Sequence, residues 1–234
     1  MAPSSDTDAR RAPLTRDRVL RAAVALADAD GIGGVTIRSL ADALGVKPMA
    51  VYHHVANKEA ILDGAVDLVF AEIDQPDGAS DWRTELLRRG HSMRDVLRRH
   101  PWAVGLMESR RSPGPATLRH HDAMIGLLRT AGFAMADVAH ANAFFDAYLY
   151  GFAVQEAALP FEGTDEVHEL ASEVMAAMPV DEYPNFVAFA VEHVLQPGYD
   201  FADEFDVGLD LVIDAIGRLP SAPRDAAGSL LDPA

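Results

Sequence analysis

Cysteine is absent from the 234 residues, which excludes a disulfide scaffold, thiolate metal sites and a cysteine nucleophile. No apolar run approaches the roughly 18 residues of a membrane span. Met1 to Pro13 carries Asp6, Asp8, Arg10 and Arg11 without an apolar stretch, unlike a signal peptide. These absences point to the cytoplasm. Catalytic signatures are missing as well: there is no glycine-rich phosphate loop, no Gly-x-Ser-x-Gly and no compelling carboxylate pair. The nine histidines are scattered, and the adjacent His120 and His121 face different ways on a helix. The sequence therefore reads as a non-enzyme, with no cofactor and no metal. Period-two alternation is lacking throughout, so no strand is expected.

Lysine is nearly absent too: Lys47 and Lys58 are the only two. Against a net charge of −16, residues 1–60 hold eight basic and seven acidic side chains, a balance of +1, and the remaining 174 carry −17. An evenly acidic chain would repel a polyanion. This one concentrates its acid away from the N-terminal quarter, where both lysines lie.

In that quarter, Leu14 to Ala29 repeats apolar residues at helical spacing until Gly31 and Gly33–Gly34 stop it. Thr36 stands as an N-cap before Ile37, Leu40, Ala41 and Leu44, and Gly45 ends that second helix. Pro48 suits the first position of a short third helix through Val51 to His54. Asn57 caps a fourth, running through Ile61, Leu62, Ala65, Val66, Val69 and Phe70 towards Pro76. Two short helices joined by a tight glycine turn and packed on a longer one make a helix-turn-helix.

The run from Val35 to Leu62, with its glycine, Tyr52, His54, Asn57 and Lys58 in register, resembles the N-terminal module of the tetracycline-repressor (TetR) family of bacterial regulators. The resemblance spans about residues 14–70. It implies an all-α fold: a helix-turn-helix DNA-binding domain over 14–60 behind a flexible arm (1–13), then a helical ligand-binding and dimerisation domain over 61–219. Residues 220–234, with three prolines, read as a disordered tail. Lys47, Pro48, Met49, Ala50 and His53 then belong to a recognition helix in the major groove. Arg38 suits a bidentate guanine contact, unless it merely balances Asp42 one turn on. Thr36, Tyr52, His54 and Lys58 match positions that hold phosphate, with a core role for Tyr52 as the alternative. Pro48, Met49 and Ala50 lack amides, so they favour a thymine methyl and an operator unlike that of the tetracycline repressor.

Downstream, helices are expected over 81–99, 114–131, 135–159, 165–178, 184–195 and 201–219, broken by Pro or Gly. His100-Pro-Trp102 and Tyr148 to Glu156 are similar to the C-terminal domain of the tetracycline repressor. Met135–Leu159 is apolar nearly all round and so must be covered on two sides. By resemblance, one side meets a second subunit through Phe145, Leu149 and Phe152, joined by Leu209, Val212, Ile213 and Ile216. The other lines an effector cavity with Trp102, Phe144, Tyr148, Gln155, His91, Met124 and Leu128, where a buried Gln155 would need a partner. The expectation is a homodimeric regulator on a palindromic double-stranded operator, released by a small hydrophobic or amphipathic effector. The alternative is a DNA-binding module whose C-terminal domain docks a protein.

Overall fold

The computed structural model describes residues 13–161 and 164–219; the arm, apart from Pro13, and the tail expected above lie outside them. All regular structure among the described residues is helical, in the order α1 (Arg16–Gly34), α2 (Ile37–Leu44), α3 (Pro48–Tyr52), α4 (Lys58–Glu72), α5 (Trp82–Arg99), α6 (Val104–Met107), α7 (Pro115–Thr130), α8 (Met135–Ala158), α9 (Thr164–Ala177), α10 (Pro184–Phe189) and α11 (Glu204–Ile216). None of these helices is long and apolar enough to cross a membrane.

Local chemistry sets the helix starts. The Thr15, Asn57 and Asp81 side chains accept the amides of Arg18, Ala60 and Arg83, satisfying donors that the first helical turn leaves free. Thr36 and Ser39 cap each other reciprocally at 3.0 and 2.9 Å. Proline opens α3, α7 and α10, where a missing N–H costs nothing. The helix of Leu14–Ala29 extends to Gly34, across a break at Gly31. The turn expected at His100-Pro-Trp102 leads into α6, which was not foreseen because its four residues are too few to show a period.

Two apolar clusters result. Val19, Leu20, Val35, Leu40, Leu44, Val51, Val55 and Ile61 form a small head. Phe70, Leu86, Met93, Leu128, Phe145, Leu149, Phe205 and Leu209 centre a larger body. The α4 helix feeds both, with Ile61 in the first and Val66, Val69 and Phe70 in the second. It crosses α1 closely, since a Cβ at Gly64 would lie 2.6 Å from a Leu20 methyl. Trp102 packs on both clusters.

Candidate functional site

At the head's outer end, α2 stops because Gly45 turns left-handed (φ 68°, ψ 33°) and its amide reaches back to Ala41 and Asp42. Any β-carbon would be strained there. Val46 and Lys47 lead to α3, which buried Val51 and Val55 pin to the head. That leaves Lys47, Pro48, Met49, Tyr52 and His53 exposed, with Ala50 and His54 half-buried. The core alternative for Tyr52 is thereby removed. Thr36 is exposed, with its hydroxyl occupied in capping. Arg38 is exposed and makes no ion pair with Asp42 or any other described carboxylate; Lys47 and Lys58 are equally unpaired among the described residues. Lys58 opens α4, at a helix N-terminus that favours an anion.

Charged contacts fasten head to body along α4. Arg110 reaches Glu59 at 2.9 Å and Asp63 at 3.5 Å. Asp67, one turn further along the same face, accepts the amide and hydroxyl of Thr117 at 2.8 and 3.0 Å. At the far end, Glu72 takes Arg99 at 2.7 Å and His100 at 3.3 Å. Burial alone would raise the Glu72 carboxyl, but its bonds to Arg99 and His100 outweigh that and hold it below the usual range. The other nitrogen of buried His100 lies 2.7 Å from Asp28 Oδ1 on α1, and Trp102 Nε1 donates to that same oxygen at 2.6 Å. Asp28→Ala should therefore cost about 1–3 kcal/mol by stranding the buried His100 nitrogen and the half-buried Trp102 indole N–H. Amide exchange in Asp28→Ala should quicken in α1 and stay slow in α8; exchange equal to the parent's in α1 would show that the joint holds nothing.

Polar groups also lie inside the body. Arg89 of α5, 1% exposed, gives Nη1 to the Asp74 carbonyl at 3.2 Å and lays Nη2 against the His120 ring. Asn142, Asp146 and Tyr150 line one face of α8, and Tyr150 donates to Glu108 at 2.8 Å. Burial, then the Arg89 charge, press His120 down to about 2. Burial, then Glu108, push Asp146 up to about 7 against the pull of Arg89. Burial lowers Arg89 to about 10, so it stays a cation. Among the described residues no three His, Asp or Glu converge as a metal site would need. A 160 Å³ cavity abuts this region, lined by Val66, Met107, Glu108, Arg110, Thr117 and His121 among others. A 550 Å³ cavity lies at the other end of α8, between Leu97, Pro101, Ala153, Ala157, Val167 and Phe201, with Arg98, Glu156 and Asp200 at its edge.

The residues expected to line an effector cavity are not brought together. Phe144 is 57% exposed, and Gln155 is exposed rather than buried, so neither faces the interior. His91 is exposed beside Phe205 and 3.6 Å from Asp206. Met124 and Leu128 are packed in the core. Tyr148 is spent on the Phe205 carbonyl at 2.7 Å, and Trp102 on the head joint. The residues expected between subunits are corrected likewise. Phe145, Leu149, Phe152, Leu209, Ile213 and Ile216 are buried within one chain and Val212 is half-buried. They pack α8 onto α11 within the chain, so the six buried side chains do not face a partner. What α8 and α11 leave outside is Phe144 and Val154 with Val207 and Leu211. Arg89, Asn142 and Asp146 went unforeseen, although a charge between inward-facing Leu86 and Met93, and an Asn and Asp one turn apart in an apolar helix, were signals.

The family profile "Bacterial regulatory proteins, tetR family" matches residues 19–65, and "Tetracyclin repressor-like, C-terminal domain" matches 75–219. The chain belongs to the TetR family. An HTH-type transcriptional regulator of Saccharopolyspora erythraea is 32% identical over 205 residues, 86% of this chain and 83% of that one. The class A tetracycline repressor of Escherichia coli is 28% identical over 218 residues, 92% of this chain and 96% of that one. A solved TetR regulator from Streptomyces coelicolor superposes with a TM-score of 0.70 at 29% identity, covering 87% of this chain and 98% of its own. TetR proteins are bacterial transcriptional regulators. TetR-family proteins bind operator DNA and small-molecule effectors and form dimers.

Proposed function

We propose that this TetR-family chain is a cytoplasmic repressor that grips an inverted-repeat operator as a homodimer and lets go when a small amphipathic effector enters the body. The head, taken as 14–60, carries the DNA contacts: Arg38 with Lys47, Pro48, Met49, Ala50 and His53 at base edges, and Thr36, Tyr52, His54 and Lys58 on phosphates. The observation that carries this reading is the set of exposed cations Arg38, Lys47 and Lys58, unpaired among the described residues, at one end of a chain of net charge −16. The body, 61–219, holds the effector, and it encloses cavities of 160 and 550 Å³. The outer residues Phe144, Val154, Val207 and Leu211 supply the twofold contact. Message passes through the contacts along α4, whose shift would move the two heads out of register with adjacent grooves.

The test is selection from a random duplex library at near-physiological salt, expected to return an inverted repeat with half-sites about 10 bp apart or a multiple of that. On that operator, Lys58→Ala should weaken all sequences alike and flatten the salt dependence. Arg38→Ala should relax preference at one position, by about 1–3 kcal/mol. Enrichment of no sequence would end the reading, and identical behaviour of the two variants would end this division of roles.

A further inference from the structure

The interior around Arg89 is an unfinished electrostatic arrangement. Its guanidinium has no carboxylate within ion-pair distance among the described residues, and its Nε has no hydrogen-bond partner at all. The groups that face it do not cancel its charge. They are the Asp74 carbonyl, the neutral ring of His120, and Asp146, which burial keeps largely protonated below about pH 7. Tyr150 is committed to Glu108, and Asn142 Oδ1 on the same α8 face is also buried without a partner. A buried cation left this way is strongly unfavourable. Buried polar atoms are so regularly paired that such exceptions mark a missing partner.

The open edge of the guanidinium defines what would fit. Nε and Nη2 form the side-on fork that donates two parallel hydrogen bonds to the oxygens of a carboxylate. Nη2 is hydrogen-bonded to the His120 ring, a contact an anion would have to replace. A single cation matches a single negative charge. A phosphate would bring nearly two, beside Glu108 and Asp146, and the other cation at the cavity, Arg110, is already paired with Glu59 and Asp63. Room exists next door in the 160 Å³ cavity, which shares Glu108 with this cluster; a cavity of about 150 Å³ holds a benzene ring.

We infer that Arg89 anchors the carboxylate of a small organic acid, whose apolar part lies among α4, α6 and α7. Asp146, as a neutral carboxyl, and the Asn142 amide complete the polar end. This deepens the effector reading by naming the ligand's chemical class, and it rests on that reading only for the link to DNA.

The experiment measures binding by titration calorimetry on the unmodified, DNA-free protein, with benzoate, 2-naphthoate and decanoate each paired with its uncharged carboxamide. At least one acid is expected to bind tenfold or more tightly than its amide. Arg89→Met should abolish that preference while the folded protein melts no lower than the parent, since the charge removed is unpaired. If no acid outbinds its amide, or if Arg89→Met keeps the preference, the anchor is wrong; the acid–amide comparison stands even if the variant fails to fold. Acids that bind through Arg89 but leave operator affinity unchanged would uphold the site and sink the effector reading. Operator release by a neutral compound, with no acid binding, would do the reverse.

Discussion

Placing a charge on the outer face of α8 and α11, as in Phe144→Arg with Leu211→Arg, is expected to leave a folded monomer whose operator affinity falls by about 10²–10⁴-fold. Phe144 is 57% and Leu211 66% exposed, so neither supports the core of its own chain, and the fold should survive. Along α8, Phe144, Ala147, Gly151 and Val154 recur at three- and four-residue spacing, a stripe whose small residues admit a close neighbour. Val207 and Leu211 continue it on α11. Burying this patch against its twofold copy is the hydrophobic gain that holds two heads at a fixed separation. Without it each head binds one half-site alone and the advantage of linked binding disappears, which is the size of the loss given. Sedimentation and operator titration on the same sample check it. A dimer that persists with full affinity would move the interface elsewhere.

Asp146→Asn should stabilise the protein above neutral pH, with a ceiling of about 4 kcal/mol. The Asp146 carboxyl ionises at about 7 in the folded chain against an ordinary 3.8. Below about pH 4 it is neutral in both states. Between about 4 and 7 only the unfolded chain ionises, so rising pH draws the equilibrium towards unfolding, by up to about 1.4 kcal/mol per pH unit. Asparagine carries no such penalty. His120 works in the opposite sense: its folded value near 2 lies below the usual 6.5, so stability falls as pH drops from 6.5. From about 4 to 6.5 the two effects offset, because folding moves one proton onto Asp146 and takes one from His120. The parent should therefore show a flat contribution there, and Asp146→Asn should expose the His120 slope. Denaturant unfolding of both proteins at pH 5, 6.5 and 8 measures this. A difference that does not grow with pH would mean that Asp146 is ionised throughout.

The head was legible in the sequence because its signals are local. Thr36, Gly45, Pro48 and Asn57 each do one thing to the backbone of the next few residues, and each does it in the structure. The body's helices were legible for the same reason, from Pro and Gly breaks and apolar spacing. Which face of α8 turns inward was not. Phe144 and Phe145, or Tyr148 and Leu149, stand side by side in an all-round apolar helix, so periodicity offers no preference. The choice is made by α5, α7 and α11, which arrive from distant parts of the chain. The sites assigned to those faces were displaced accordingly. Trp102 likewise reads as pocket aromatic until α1 brings Asp28 to its indole nitrogen.

The joint between head and body has a consequence for how binding responds to ionic strength. Glu59 and Arg99 are well exposed, so ions screen their pairs much as they screen contacts to phosphate. Raising salt then does two things at once: it displaces the cations that hold DNA and slackens the hold that keeps the heads spaced to receive it. The slope of log affinity against log salt will be steeper than the number of phosphates neutralised. A footprint inferred from that slope alone would come out too large.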